Sequence, residues 1–408
     1  MNVSRSGGAG GSKEPIMSLY YVRALAILGV IMVHVTATPI GEIQGKQSSL
    51  YALFNFLNIF NKFGTPTFLF LSAFVLFYSY YDRPLSKALL SRFYKRRLMY
   101  ILVPYLVGSC FYYMLGLYGV YGFSHMSDYG SVKQFLGLLV HGKTYYHLYF
   151  IFINAQFYVL FPFMLWLLQK KPQLTKMLIP IGLVLQWAFV IGNLEVMHYG
   201  DKGYLFISYF ANFCLGAFFG IFHKQVRDML DLTWEKLFTY RGGIWLVVWG
   251  VWLVATVAHI HLWYENRTGT ANAGAFTYEL LWFLQTYTSG LILYQLAGLL
   301  YRKLKGTAAK LLLHLGSVSF GVYIVHAAVL YLFIRLLDTP SQPHLYVLYY
   351  ACAYAATLSV SWMVVGLLQK RFKFAWVLFG SVPKIRSIDS PGIRTSTAAA
   401  PVSSTFEA

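Results

Sequence analysis

The residues that could do chemistry in this chain sit inside otherwise apolar stretches, and two helices supply the strongest set. Arg23 and His34 bracket Ala-Leu-Ala-Ile-Leu-Gly-Val-Ile-Met-Val. Eleven residues at 100° each return to within about 20°, so the two share one helix face, about 16 Å apart along the axis. A guanidinium with a fixed charge would lie toward one end of that stripe. An imidazole able to titrate near neutrality, the usual requirement of a general base, would lie deeper. The alternative is that Arg23 snorkels toward headgroups and His34 bonds a neighbouring carbonyl. A second stretch, Gly316-Ser-Val-Ser-Phe-Gly-Val-Tyr323-Ile-Val-His326, carries another histidine to a similar depth, with Tyr323 one turn earlier on the same face. His326 is either a cavity partner of His34 or a satisfied packing residue.

Weaker constellations surround these. Arg92-Phe-Tyr-Lys95-Arg96-Arg97 is a basic cluster. It can clamp phosphate through bidentate guanidinium contacts or merely anchor a helix end. His147, Asn154 and Gln156 can hydrogen-bond a sugar or tie neighbouring helices together. Trp263 and Tyr264 with Glu265, Glu279 and Trp282 have an aromatic-plus-acid composition suited to carbohydrate, which interfacial aromatic belts also use. His259 and His261 have no nearby acid in ligand spacing, so no metal is expected. Cys110, Cys214 and Cys352 lie in apolar runs and read as packing residues.

The elements that must position these residues are membrane spans. Of the 408 residues, 58% are hydrophobic and only 12% charged, about half the charge of an ordinary soluble domain. That composition excludes a multidomain soluble enzyme, a disordered chain and a disulfide-stapled secreted domain. Ten apolar stretches are long enough to span, at 17–39, 51–81, 98–119, 147–168, 175–193, 203–223, 243–263, 278–300, 311–337 and 345–369. The second is too long for one straight span, and Gly64-Thr65-Pro66 predicts a turn leading into a helix from about Phe63. The expected fold is all-α, a multi-pass transmembrane helical bundle of about ten spans occupying residues 17–370. Gly/Ser-rich residues 1–16 and Ser/Thr/Ala/Pro-rich residues 371–408 are expected to be tails, mostly disordered. No cleaved signal peptide is expected.

The net charge of +19 would suggest nucleic acid in a soluble protein. Here its distribution says otherwise. With the N-terminus inside, 25 of the 33 Lys and Arg fall in inner segments and 5 in outer loops. By the positive-inside rule both termini are cytoplasmic, and no nucleic-acid partner is implied. Nothing in the pattern specifies an oligomeric state.

Taken in order, these segments resemble the integral-membrane acyltransferase type 3 family. Its first-helix signature of a basic residue, ten intervening residues and a histidine is matched by Arg23 and His34. Phe63-Gly-Thr-Pro-Thr-Phe-Leu-Phe-Leu-Ser72-Ala-Phe74, Arg92 to Arg97 through Pro104, and His147-Leu-Tyr-Phe-Ile follow in the same order. Leu215-Gly216-Ala-Phe-Phe-Gly220 and Ser319 to His326 complete the set. Within the family the chain looks closest to the branch that O-acylates exported surface polysaccharide, which includes the intercellular-adhesion polysaccharide acyltransferases. It departs from the common pattern at Ala73 and at Ala327-Ala328.

The resemblance implies transfer of an acyl group, acetyl or succinyl, from cytosolic acyl-CoA to a glycan hydroxyl at the outer side of a bacterial cytoplasmic membrane. Acyl-CoA is then a co-substrate; no permanently bound cofactor is implied. His34 would be the base or a transient acyl carrier, Arg23 would hold donor phosphate or pantetheine, and Arg96 and Arg97 would stand at the entrance. His326 and Tyr323 would orient His34 or steady an oxyanion, and His147, Asn154 and Gln156 would face substrate. The competing expectation is an exporter or flippase of lipid-linked or polymeric sugar. Against it, the two five-helix halves have no self-similarity, which many transporters show.

Overall fold

A computed structural model describes residues 15–230, 238–270 and 273–381, and every regular element among them is helical. The helices are α1 Ser18–Glu42, α2 Ser49–Phe60, α3 Gly64–Tyr80, α4 Lys87–Arg97, α5 Val103–Tyr129, α6 Val132–Val140, α7 Tyr149–Lys170, α8 Leu178–Gly192, α9 Phe210–Ile221, α10 His223–Leu230, α11 Tyr240–Thr268, α12 Ala275–Lys303, α13 Gly306–Leu336, α14 Pro343–Arg371 and α15 Trp376–Phe379. Among the described residues, eight stretches are long and apolar enough to cross a membrane. The two remaining expected spans have physical reasons to differ. Residues 203–223 form turns and the short α9, which meets α10 at a bend of 97°; counted as one broken span the pair makes nine. Residues 278–300 lie within the 29-residue α12, long enough but too polar for that measure. Its Gln285, Thr286, Thr288 and Ser289 are all buried against other helices, where polar groups find partners.

The centre of the bundle is α1, packed against α13, α2, α12 and α3. α13 approaches α1 so closely that a Cβ at Gly316 would collide with the Tyr20 carbonyl. α9 meets α3 in the same way through Gly216 and Gly220, a small-residue pair four apart that lets two backbones touch.

The predicted turn is present. A single 3-10 turn, Asn61–Phe63, separates α2 from α3, and Pro66 sits in the first turn of α3, where its missing N–H costs nothing. Carbonyls freed by the break are satisfied from α12, whose Gln285 Nε2 donates to Ile59 O (3.0 Å) and Phe60 O (3.2 Å). Ahead of α5, α4 is capped by Ser86 and ends in Lys95, Arg96 and Arg97, the charges a helix C-terminus favours. A wider turn of π geometry, Leu98–Leu102, joins it to α5.

Packed structure runs beyond residue 370. Ala375 and Phe379 are buried, Trp376 packs its ring 5.7 Å from Tyr100, and α15 rests on α5 and α13. The rest of the two expected tails, 1–14 and 382–408, lies outside the described residues.

Candidate active site

Two cavities open at opposite ends of the α1 stripe. One, of about 890 Å³, is lined by Arg23 from α1, Arg92, Arg96 and Arg97 from α4, and Arg83 from the loop between α3 and α4. Among the described residues no carboxylate lines it. The Arg97 guanidinium lies 5.0 Å above the Tyr158 ring, its Nε buried without a hydrogen-bond partner. Arg97 is near enough to Arg23 for the two cations to repel each other. Five guanidiniums facing one space without a counter-ion form a site whose electrostatics call for an anion.

The other cavity, of about 370 Å³, is lined by His34 from α1, Lys62 and Thr65 from the break, Trp263 from α11, and Glu279 and Trp282 from α12. Lys202 closes it, ion-paired to Glu279 at 2.7 Å. The neighbouring Lys143–Asp201 pair (2.5 Å) ties down the same loop; the hydrogen bond that the Lys143 ammonium donates to that carboxylate raises its pKa above the ordinary value. His259 also borders this cavity but is fully committed. Its Nδ1 bonds Gln285 Oε1 (2.5 Å) and its Nε2 accepts from Trp263 Nε1 (2.8 Å). Among the described residues no group of His, Cys, Asp or Glu is arranged to hold a metal ion.

Between the cavities lies a wall of rings. The His34 and His326 ring centroids are 5.2 Å apart, and His326 and His147 are 5.1 Å apart. His326 is fully buried, with Nδ1 2.6 Å from the Tyr323 carbonyl. A carbonyl only accepts, so Nδ1 carries the proton and Nε2 presents a lone pair, which has no partner. Tyr323 faces the arginine cavity, but its hydroxyl donates to the His147 carbonyl. No residue lines both cavities.

The structure therefore brings Arg23, Arg96, Arg97 and Tyr323 to one cavity and His34 to the other, with His326 between. The three residues expected to face sugar lie away from the aromatic cavity. Asn154 lines the arginine cavity; its Nδ2 donates to Phe150 O (3.0 Å), leaving Oδ1 unpartnered. Gln156 reaches neither cavity, because both its ends bind backbone at Tyr204 O (2.7 Å) and Phe206 N (3.2 Å). His147 is sealed among Tyr112, Tyr145, Tyr146 and Tyr323, so it cannot touch a ligand in either cavity. Tyr323 is likewise no oxyanion donor while its proton is given to that carbonyl.

Sequence reasoning missed two residues here. Tyr146 packs its ring 4.8 Å from His34. Tyr112 bridges the turn that holds His326, donating to Ile324 O and accepting from Ala328 N (3.2 Å). A tyrosine in an apolar helix gives no signal of such a role.

The acyltransferase domain family matches residues 17–366. The chain is also 26% identical over 229 residues to the probable poly-beta-1,6-N-acetyl-D-glucosamine export proteins of Staphylococcus aureus strains MRSA252 and MSSA476. Those alignments cover 54% of this chain and 61% of each relative, so the chain spans less than two thirds of their length. No solved structure matches. With the family matched across nearly all of the described bundle, the chain belongs to the acyltransferase domain family.

Proposed function

We propose that this protein is a membrane-bound O-acyltransferase that moves an acyl group from acyl-CoA to a hydroxyl of a cell-surface or exported polysaccharide. The observation that carries this reading is the pair of unlike cavities on either side of the His34–His326 ring contact, His34 lining one and Tyr323, one turn before His326, lining the other. The acid-free arginine cavity suits the phosphates of the donor, and the unpartnered Asn154 Oδ1 suits an amide N–H of its pantetheine arm. The aromatic cavity suits a sugar. The acceptor hydroxyl approaches His34, which removes its proton as the oxygen attacks the thioester carbon. The carbon–oxygen bond forms, the carbon–sulfur bond breaks, and the proton passes to the departing thiolate. His326, its tautomer set by the Tyr323 carbonyl, offers Nε2 to the other His34 N–H and so supports the imidazolium that forms. Arg23 and Arg97 hold the donor, with Arg92 and Arg96 at its entrance. The excess of cations at the arginine end supports a cytoplasmic position for that end and for both termini.

A second reading, export of a sugar polymer, is favoured by the printed names of the relatives. Against it, five guanidiniums gathered at one cavity suit a phosphate-bearing donor, which export of a neutral sugar polymer does not require. The test is incubation of purified protein with acetyl-CoA or succinyl-CoA and an oligosaccharide. Free thiol and glycan ester are expected to appear in equal amounts. Neither product with either donor would remove the acyltransferase reading.

A further inference from the structure

The cavity beside His34 contains a cation that no acid answers. Lys62 sits in the turn between α2 and α3, its ammonium 4.5 Å over the Trp263 ring. The Arg267 guanidinium lies 4.9 Å from the same ring and repels it. Among the described residues the Arg267 guanidinium donates to neutral amides, Asn55 Oδ1 (2.8 Å) and Asn58 Oδ1 (3.4 Å). The one carboxylate lining the cavity, Glu279, is already paired with Lys202. The cation–π contact offsets only part of what desolvating the ammonium costs once a ligand displaces water from the cavity. The site is therefore short of one negative charge, next to the imidazole that meets the acceptor.

Resting on the acyltransferase reading, we infer that the acceptor subsite takes a glycan unit carrying a fixed negative charge. Lys62 receives the anion, Trp263 and Trp282 contact the sugar ring, and a neighbouring hydroxyl is left facing His34. The neutralised Lys202–Glu279 pair bounds the subsite without adding net charge. A neutral sugar would leave Lys62 desolvated and unpaired when it displaces water, so the cavity selects against it as well as for the anion.

The anion can come from a sugar carboxylate or from a phosphate on the sugar, and three probes separate these sources. Trigalacturonate, N-acetylglucosamine 1-phosphate and neutral tri-N-acetylchitotriose are titrated against the full-length protein in detergent, with tryptophan fluorescence as the readout. At least one anionic probe is expected to bind about ten-fold tighter than the neutral trisaccharide at low salt, the scale of one charge-assisted hydrogen bond. Lys62→Met should erase that preference and Lys62→Arg should retain most of it, with thermal melting confirming that both are folded. Equal or tighter binding of the neutral probe, or a preference that survives in Lys62→Met, overturns the inference. Thioester cleavage measured on the same wild-type preparation keeps the two claims apart. Cleavage without an anion preference removes this inference alone, and an anion preference without cleavage removes the acyltransferase reading alone.

Discussion

Replacing His34 with alanine is expected to lower the rate of acyl transfer by about a hundred- to ten-thousand-fold, the contribution of a positioned general base. The loss should fall on kcat. On the proposed reading the KM for acyl-CoA would be set by guanidiniums in the other cavity, which the substitution does not touch. His34 lines a cavity and makes ring contacts with Tyr146 and His326, so its removal deletes two packing contacts without opening the core. Steady-state kinetics over a range of acyl-CoA concentrations, with a thermal melt of the same sample, checks both points. A variant that retains full kcat shows that the base lies elsewhere. In the proposed hydrogen-bond chain His326 supports His34 through one acceptor atom. His326→Gln, which keeps an acceptor, should therefore lose less than His326→Leu.

Replacing Arg23 with methionine is expected to raise the KM for acyl-CoA by about ten- to a hundred-fold, the loss of one charge-assisted contact to phosphate. The sign of the stability change separates this role from a structural one. Arg23 faces Arg97 across a cavity without a carboxylate, so removing it relieves repulsion. The melting temperature of the variant without donor should hold or rise. An arginine that merely anchored α1 would show the reverse pattern, a lower melting temperature with an unchanged KM. Donor affinity in the wild type should also fall with ionic strength, because Arg92 and Arg96 are exposed.

Much of this site was legible in the sequence because membrane burial makes ionisable residues expensive, so each survivor is informative. Arg23, His34 and His326 stood out for that reason. The 3.6-residue period was enough to place Arg23 and His34 on one stripe. The break at Gly64-Thr65-Pro66 was also readable from local chemistry.

What could not be read was the partnership between helices. Asn154 and Gln156 are two residues apart, yet one faces the arginine cavity and the other binds the turn around Tyr204. Nothing in their spacing says which. His147 stands at the start of α7 beside the site, but Tyr112 from α5 and Tyr323 from α13 enclose it. The role of Lys62 depends on Trp263 and Arg267, some 200 residues away in the chain. Polar groups also hid a helix from the hydropathy measure: α12 carries Gln285 to satisfy the broken end of α2.

The central claim is that donor and acceptor enter from opposite sides and meet at the imidazoles. The most direct measurement uses proteoliposomes in which the protein has one known orientation, with oligosaccharide sealed inside and radiolabelled acyl-CoA outside. When the arginine end faces outward, labelled ester is expected to accumulate on the enclosed oligosaccharide, and His34→Ala vesicles should stay unlabelled. Ester that forms only when donor and oligosaccharide share one side would contradict the account.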